Sequence, residues 1–145
     1  MSKRLRIESR WHHVLLSAII VSLSGTLMAE DCPQLPPLFA DPHVTQGQVQ
    51  TLLTDVRKQP HMTCAPFDLH TVKCTSEADP VVFIFTMPGH PAHPAVSRGA
   101  VLWNGSTACI VRDGYFAGDE MAFRGWISNL KKYDESVVNQ FRSRH

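Results

Sequence analysis

The sequence predicts an α+β domain. It consists of a small antiparallel sheet of about four strands, with an N-terminal and a C-terminal helix packed on one face and disulfides to stabilise it. Three observations lead there. Helical apolar stripes stand near both ends of the chain, with strand and hairpin patterns between them. Four cysteines, an even number, occur in a short chain that opens with an export-type leader. Asn104-Gly105 sits between two apolar runs, and this dipeptide supplies the positive φ values that a tight hairpin turn needs.

Residues 1–29 read as a cleavable leader. Lys3, Arg4, Arg6 and Arg10 precede the charge-free run Val14 to Leu27, and Leu27-Met28-Ala29 places a small residue before the expected cut at Glu30. The apolar run is shorter than the ~20 residues of a spanning helix. Cys32 lies behind Glu30 and Asp31 rather than at the cut itself, which is not where a lipid-modified cysteine stands. The whole chain has 14 basic and 13 acidic residues. Removing the four basic residues of the leader and Glu8 leaves ten basic and twelve acidic, a formal charge of −2. That balance argues against a nucleic-acid binder, which would show a basic surface. Export directs the chain to the periplasm or the medium, with no stable membrane span after cleavage.

Residues 30–44 form a proline-rich arm (Pro33, Pro36, Pro37, Pro42), extended because each proline fixes φ and lacks an N–H. Leu38 and Phe39 are its expected anchors. The single domain then occupies 45–145. Its first helix is expected from about Thr45 to Lys58. Thr45 and Gln48 have capping-box spacing, Val49, Leu52, Leu53 and Val56 make one face, and Pro60 ends it. Phe67, Leu69 and Thr71 alternate with Asp68 and His70 as a half-buried strand, and 75–80 is a turn cluster. Val81 to Thr86, apolar at nearly every position, is a central strand covered on both faces.

The hairpin joins Arg98–Trp103 to Ser106–Arg112, with paired residue numbers summing to 209. Trp103, Val101, Ala108 and Ile110 then share one face; Leu102, Ala100, Cys109 and Val111 share the other. Asn104-Gly105-Ser106 also matches a glycosylation sequon, but the tight turn accounts for it. Asp113-Gly114 reads as a second turn. The last helix opens at Asp119 as N-cap and reaches about Gln140, with Phe123, Trp126, Ile127, Leu130 and Val137 on its stripe and Asp134 as the one break.

Cys32, Cys64, Cys74 and Cys109 allow three pairings, between which the sequence does not decide. Cys64–Cys74 with Cys32–Cys109 is favoured, because it gives a short staple and ties the arm to the core.

The segment whose composition neither a helix nor a strand explains is Met87-Pro88-Gly89-His90-Pro91-Ala92-His93-Pro94. Its prolines recur every third residue, which fits polyproline II geometry. On that geometry Met87, His90 and His93 form one ridge. A thioether and two imidazoles suit copper, and imidazoles alone suit zinc, with His61 and Met62 as further ligands if that segment folds close. The bland alternative is a stiff connector with solvated histidines. His90, Pro91, His93 and Pro94 also offer a partner-contact surface, together with Tyr115 and Phe116 in a glycine-flanked turn.

No catalytic constellation is recognisable. There is no G-x-S-x-G or H-E-x-x-H, and a Cys–His pair is disfavoured where the cysteines are oxidised. The sequence therefore points to a small exported, non-enzymatic binding or accessory protein acting through an envelope or secreted protein partner; its size and disulfides also fit an inhibitor or immunity protein. The alternative is a copper- or zinc-binding protein using the His90/His93 loop. No cofactor is required by either pattern beyond that metal.

Overall fold

A computed structural model of the chain describes residues 32–104 and 107–142; the expected leader lies outside them. The elements are α1 (Gln46–Lys58), β1 (Met62–Asp68), β2 (Thr71–Ser76), β3 (Val81–Thr86), β4 (Ala95–Asn104), β5 (Thr107–Phe116) and α2 (Glu120–Arg142). The strands form one five-stranded antiparallel meander in the order β1-β2-β3-β4-β5. Among the described residues no helix is long and apolar enough to cross a membrane.

The helices begin where their caps dictate. Thr45 Oγ1 accepts from the Gln48 N–H while Gln48 Oε1 accepts from the Thr45 N–H, the complete capping box. Asp119 Oδ1 accepts from the Ala122 N–H at 2.7 Å and caps α2.

The sheet has five strands rather than about four. The stretch expected as one strand over Phe67–Thr71 is the end of β1, a turn, and the start of β2. Asp68 makes this turn, with its carboxylate accepting the His70 N–H at 2.8 Å. Asp113 and Gly114 are not a turn but lie inside β5, opposite Arg98 and Ser97. The β4–β5 register runs one position later than expected, with Asn104 opposite Thr107 and Leu102 opposite Cys109. Paired numbers sum to 211 instead of 209, an even shift, so the described side chains, such as Leu102 and Cys109, keep their expected face.

The two helices do not share a face of the sheet. Paired strand residues point to the same side, and the ladder Cys74–Phe83–Arg98–Asp113 lies on the α1 side. There Val49 and Val56 of α1 pack with Cys74, Phe83, Phe85, Val96 and Tyr115. The alternate ladder Lys73–Ile84–Ser97–Gly114 faces α2, and a Cβ on Gly114 would meet Ile127 Cδ1 at 2.7 Å and Phe123 Cζ at 2.9 Å. Phe116, Phe123, Ala92 and Ala95 form a second core on this side, with Trp126 and Ile127 against it. The physical reason is in the strands: β3 is apolar on both faces, so each face needs its own cover.

The arm is fixed as a third layer over the α1 side. Leu38 N–H donates to Tyr115 Oη at 2.8 Å, and Phe39 meets the Tyr115 ring edge-on at 5.1 Å. Arg98 Nη2 donates to Pro36 O at 2.6 Å and forms an ion pair with Asp113. At the end of the arm, the Phe116 N–H donates to Pro42 O and the Val44 N–H to Phe116 O, so one end of the β5 edge is paired. The disulfides are Cys64–Cys74, directly opposite one another in β1 and β2, and Cys32–Cys109, whose Cα atoms are 6.1 Å apart. At the other margin of the sheet, β1 carries Pro66 and a register break between Pro66 and Asp68.

Candidate functional site: an apolar groove beside a histidine corner

Helix α2 rests close over β4 and β5 because those strands present small residues to it. Ser97, Gly99 and Gly114 lie on this face, and the Arg112 guanidinium lies flat across Gly99, where a Cβ would meet Nη2 at 2.8 Å. The helix does not reach the other half of the sheet. Phe67, Lys73, Val82 and Ile84 therefore form an open wall and floor opposite Leu130, Tyr133 and Val137 of α2. The groove between them has a volume of about 430 Å³. Phe67 is 48% and Tyr133 62% exposed, as befits its rims.

The deep polar group in the groove is closed on itself. Asp134, the break in the helical stripe, accepts from Arg112 Nε at 2.6 Å and Nη2 at 2.9 Å, and Arg112 Nη1 donates to Ser97 Oγ at 2.8 Å. This bidentate pair satisfies both charges. Lys73 is different. Its ammonium sits 4.9 Å from the Phe67 ring centroid, a cation–π contact, and among the described residues it has no carboxylate partner.

The Met87–Pro94 segment is a packed corner, not a polyproline ridge. The His90 N–H donates to Met87 O and the His93 N–H to His90 O, giving two consecutive turns, and the His93–Pro94 peptide is cis. Pro88 followed by Gly89 at φ +97° has the form of a type II turn, which needs a positive φ at its third residue. Gly89 also lies against the His70 ring, leaving no room for a side chain. Thr86 closes the corner: its hydroxyl accepts from the Ala95 N–H at 2.7 Å and donates to Ala95 O at 3.0 Å.

Within this corner His93 Nδ1 donates to Thr86 O at 2.9 Å. His90 Nδ1 accepts the Ala92 N–H at 3.1 Å, and its ring stands edge-on to Trp126 at 5.3 Å. Burial pushes the pKa of His90 below its ordinary value; the nearby Asp68 carboxylate opposes that, and His70 and His93 add to it. The pKa of Asp68 is lowered, chiefly by the His70 backbone N–H.

Of the residues expected at a metal site, Met87 and His90 are half-buried and His93 is partly so, and both imidazoles have committed Nδ1, leaving Nε2 for any ligand. His61 is exposed and Met62 packs toward the α1 core. Among the described residues no three His, Cys, Asp or Glu side chains are grouped so as to hold a metal ion. Of the expected contact surface, the structure does bring the loop and the 114–118 segment together: the Ala117 N–H donates to Pro94 O at 2.8 Å. Pro91 is exposed and Pro94 half-buried, but Tyr115 and Phe116 are buried, one in each core. The expectation of an exposed aromatic patch there is thus corrected: the flanking glycines serve close packing, Gly114 under α2 and Gly118 against His93 O.

Sequence reasoning missed Phe67, Lys73, Val82, Ile84 and Tyr133 as a set. The available signal was Lys73, a charged residue between apolar neighbours on a strand, but its meaning depends on the pairing with Ile84 and on where α2 stops.

Comparison with known proteins gives no match: no protein-family model, no curated protein and no solved structure is significantly similar to this chain.

Proposed function

We propose that this is an exported, non-enzymatic binding protein of the periplasm or the medium, and that its binding face is the groove between α2 and the β1–β3 half of the sheet. The observation that carries this is the incomplete cover of the sheet. Phe67, Val82, Ile84, Leu130, Tyr133 and Val137 line an open depression of about 430 Å³, the kind of mostly apolar concavity with few polar groups that ligands occupy. The neighbouring charges support binding over catalysis, because Arg112 and Asp134 are bound to each other rather than aimed at an incoming group. Two disulfides support an oxidising compartment.

The test is binding of a neutral solvatochromic dye to the oxidised protein. One dye per chain is expected, with a blue-shifted emission that Leu130→Asp abolishes. Emission unchanged by that substitution places the dye elsewhere and removes the groove from the reading. Mass analysis of the protein recovered from the cell envelope tests export, with cleavage between Ala29 and Glu30 as the expected result.

A further inference from the structure

We infer that the groove takes a free long-chain carboxylate, with the hydrocarbon along the floor and the head group at Lys73. This rests on the groove being the binding face, and it names the ligand class from three features.

The first is what the walls lack. The floor is the middle of a five-stranded sheet whose backbone groups are spent on the ladders β2–β3, β3–β4 and β4–β5, and the facing wall is a continuous helix. Neither offers main-chain donors or acceptors to an occupant. A peptide laid there would bury its own N–H and C=O groups without partners, which is costly, whereas a hydrocarbon chain has none to satisfy.

The second is length. From Leu130 to Val137 the helix advances about 11 Å at 1.5 Å per residue, so the apolar wall is elongated and suits a linear chain. The third is charge. Arg112 is neutralised by Asp134, which leaves Lys73 as the lining cation with no carboxylate partner among the described residues. Its ammonium lies over the Phe67 ring at one rim. A ligand with one anionic end and an apolar body is complementary to that arrangement, and a cationic amphiphile is not.

The experiment is calorimetric titration of the protein, expressed from its full coding sequence and recovered with both disulfides closed. The probes are hexanoate, octanoate, decanoate, decanol and decyltrimethylammonium, each below its micelle concentration, and phosphatidylglycerol vesicles. The expected result is one decanoate per chain. Affinity should rise roughly fourfold per added methylene as the chain fills the groove. Decanol should bind about tenfold more weakly, for loss of the charge-assisted contact, and the cationic analogue should not bind. Lys73→Gln should reduce decanoate affinity by about the same factor and leave decanol unaffected; Leu130→Asp should abolish both. Equal binding of decanol and decanoate, or indifference to Lys73→Gln, overturns the carboxylate assignment while leaving the groove as a binding face. Binding to vesicles without binding to monomeric decanoate also overturns it. Failure of every probe, together with failure of the neutral dye, overturns the groove as well. Lys73 is half-exposed and near-UV circular dichroism checks its variant; the wild-type ligand series decides the matter even if that variant misfolds.

Discussion

Replacing Asp134 by alanine leaves the Arg112 guanidinium in place with nothing to bind. In the wild type, the side chains of Arg112 and Asp134 are only 7% and 11% exposed, and the guanidinium makes two hydrogen bonds to the carboxylate and one to Ser97. The substitution therefore strands a buried charge, a change that costs about 3–5 kcal/mol. For a domain of roughly a hundred residues, the lower figure corresponds to a fall in Tm of roughly 12–24 °C. The double variant Arg112→Met with Asp134→Leu removes both charges and fills the space with apolar atoms. It should recover most or all of the loss, because the attraction in a buried pair does little more than offset its desolvation. Urea unfolding of the oxidised protein, monitored by circular dichroism, measures both variants. A loss below about 1 kcal/mol for Asp134→Ala would place the pair in solvent. A double variant no better than the single one would show that the helix needs the ion pair itself to find its seat.

Gly114→Ala should destabilise by about 1–3 kcal/mol, since the new Cβ drives into Ile127 and Phe123. Gly125→Ala, within α2, where an added Cβ would meet no other part of the protein within 4 Å, should instead stabilise by up to about 1 kcal/mol; both are read by urea midpoints. By loop-closure entropy, opening Cys64–Cys74, ten residues apart, should cost about 3 kcal/mol, and opening Cys32–Cys109, seventy-seven apart, about 4–5 kcal/mol; paired Cys→Ser variants in thermal melts check that order. Stability should also fall on the acid side. His90 titrates lower in the folded protein than in the unfolded chain, so below its ordinary 6.5 the unfolded state binds more protons and stability declines as pH drops. Protonation also turns the Nδ1 that accepts the Ala92 N–H into a donor. Asp68 adds a second decline below its ordinary 3.8, because the folded state favours its ionised form. Chemical denaturation at pH 7.5 and 5.5 should show the first loss in the wild type and a smaller one in His90→Asn.

What could be read from the chain was what local chemistry decides. Thr45 and Gln48 declare the start of α1 by their spacing, and Asp119 that of α2. The alternation around Leu102 and Cys109 gave the right faces even with the pairing register displaced, since an even shift preserves sidedness. What could not be read depends on contacts distant in sequence. Asp113-Gly114 has turn composition, yet Gly114 is a glycine because Phe123 and Ile127 press on it from α2. Pro88, Pro91 and Pro94 repeat every three residues, yet Gly89 against His70 and Thr86 across Ala95 fold that repeat into turns. Asp134 looked like a flaw in an apolar stripe until Arg112, more than twenty residues earlier, supplied its reason.

The β1 margin bears on how concentrated this protein can become. An outermost strand with all its hydrogen-bonding groups in line is an invitation to fibre growth. Here Pro66 removes one N–H, the register break beside it bends the strand, and the Cys64–Cys74 bond holds that bend against β2. The opposite margin is occupied in part by residues 42–44 of the same chain. Residues 42–44 meet only Phe116 of the ten-residue β5, so the protection against edge pairing is concentrated on the β1 side, and reduction of the Cys64–Cys74 bond is the step that would put it at risk.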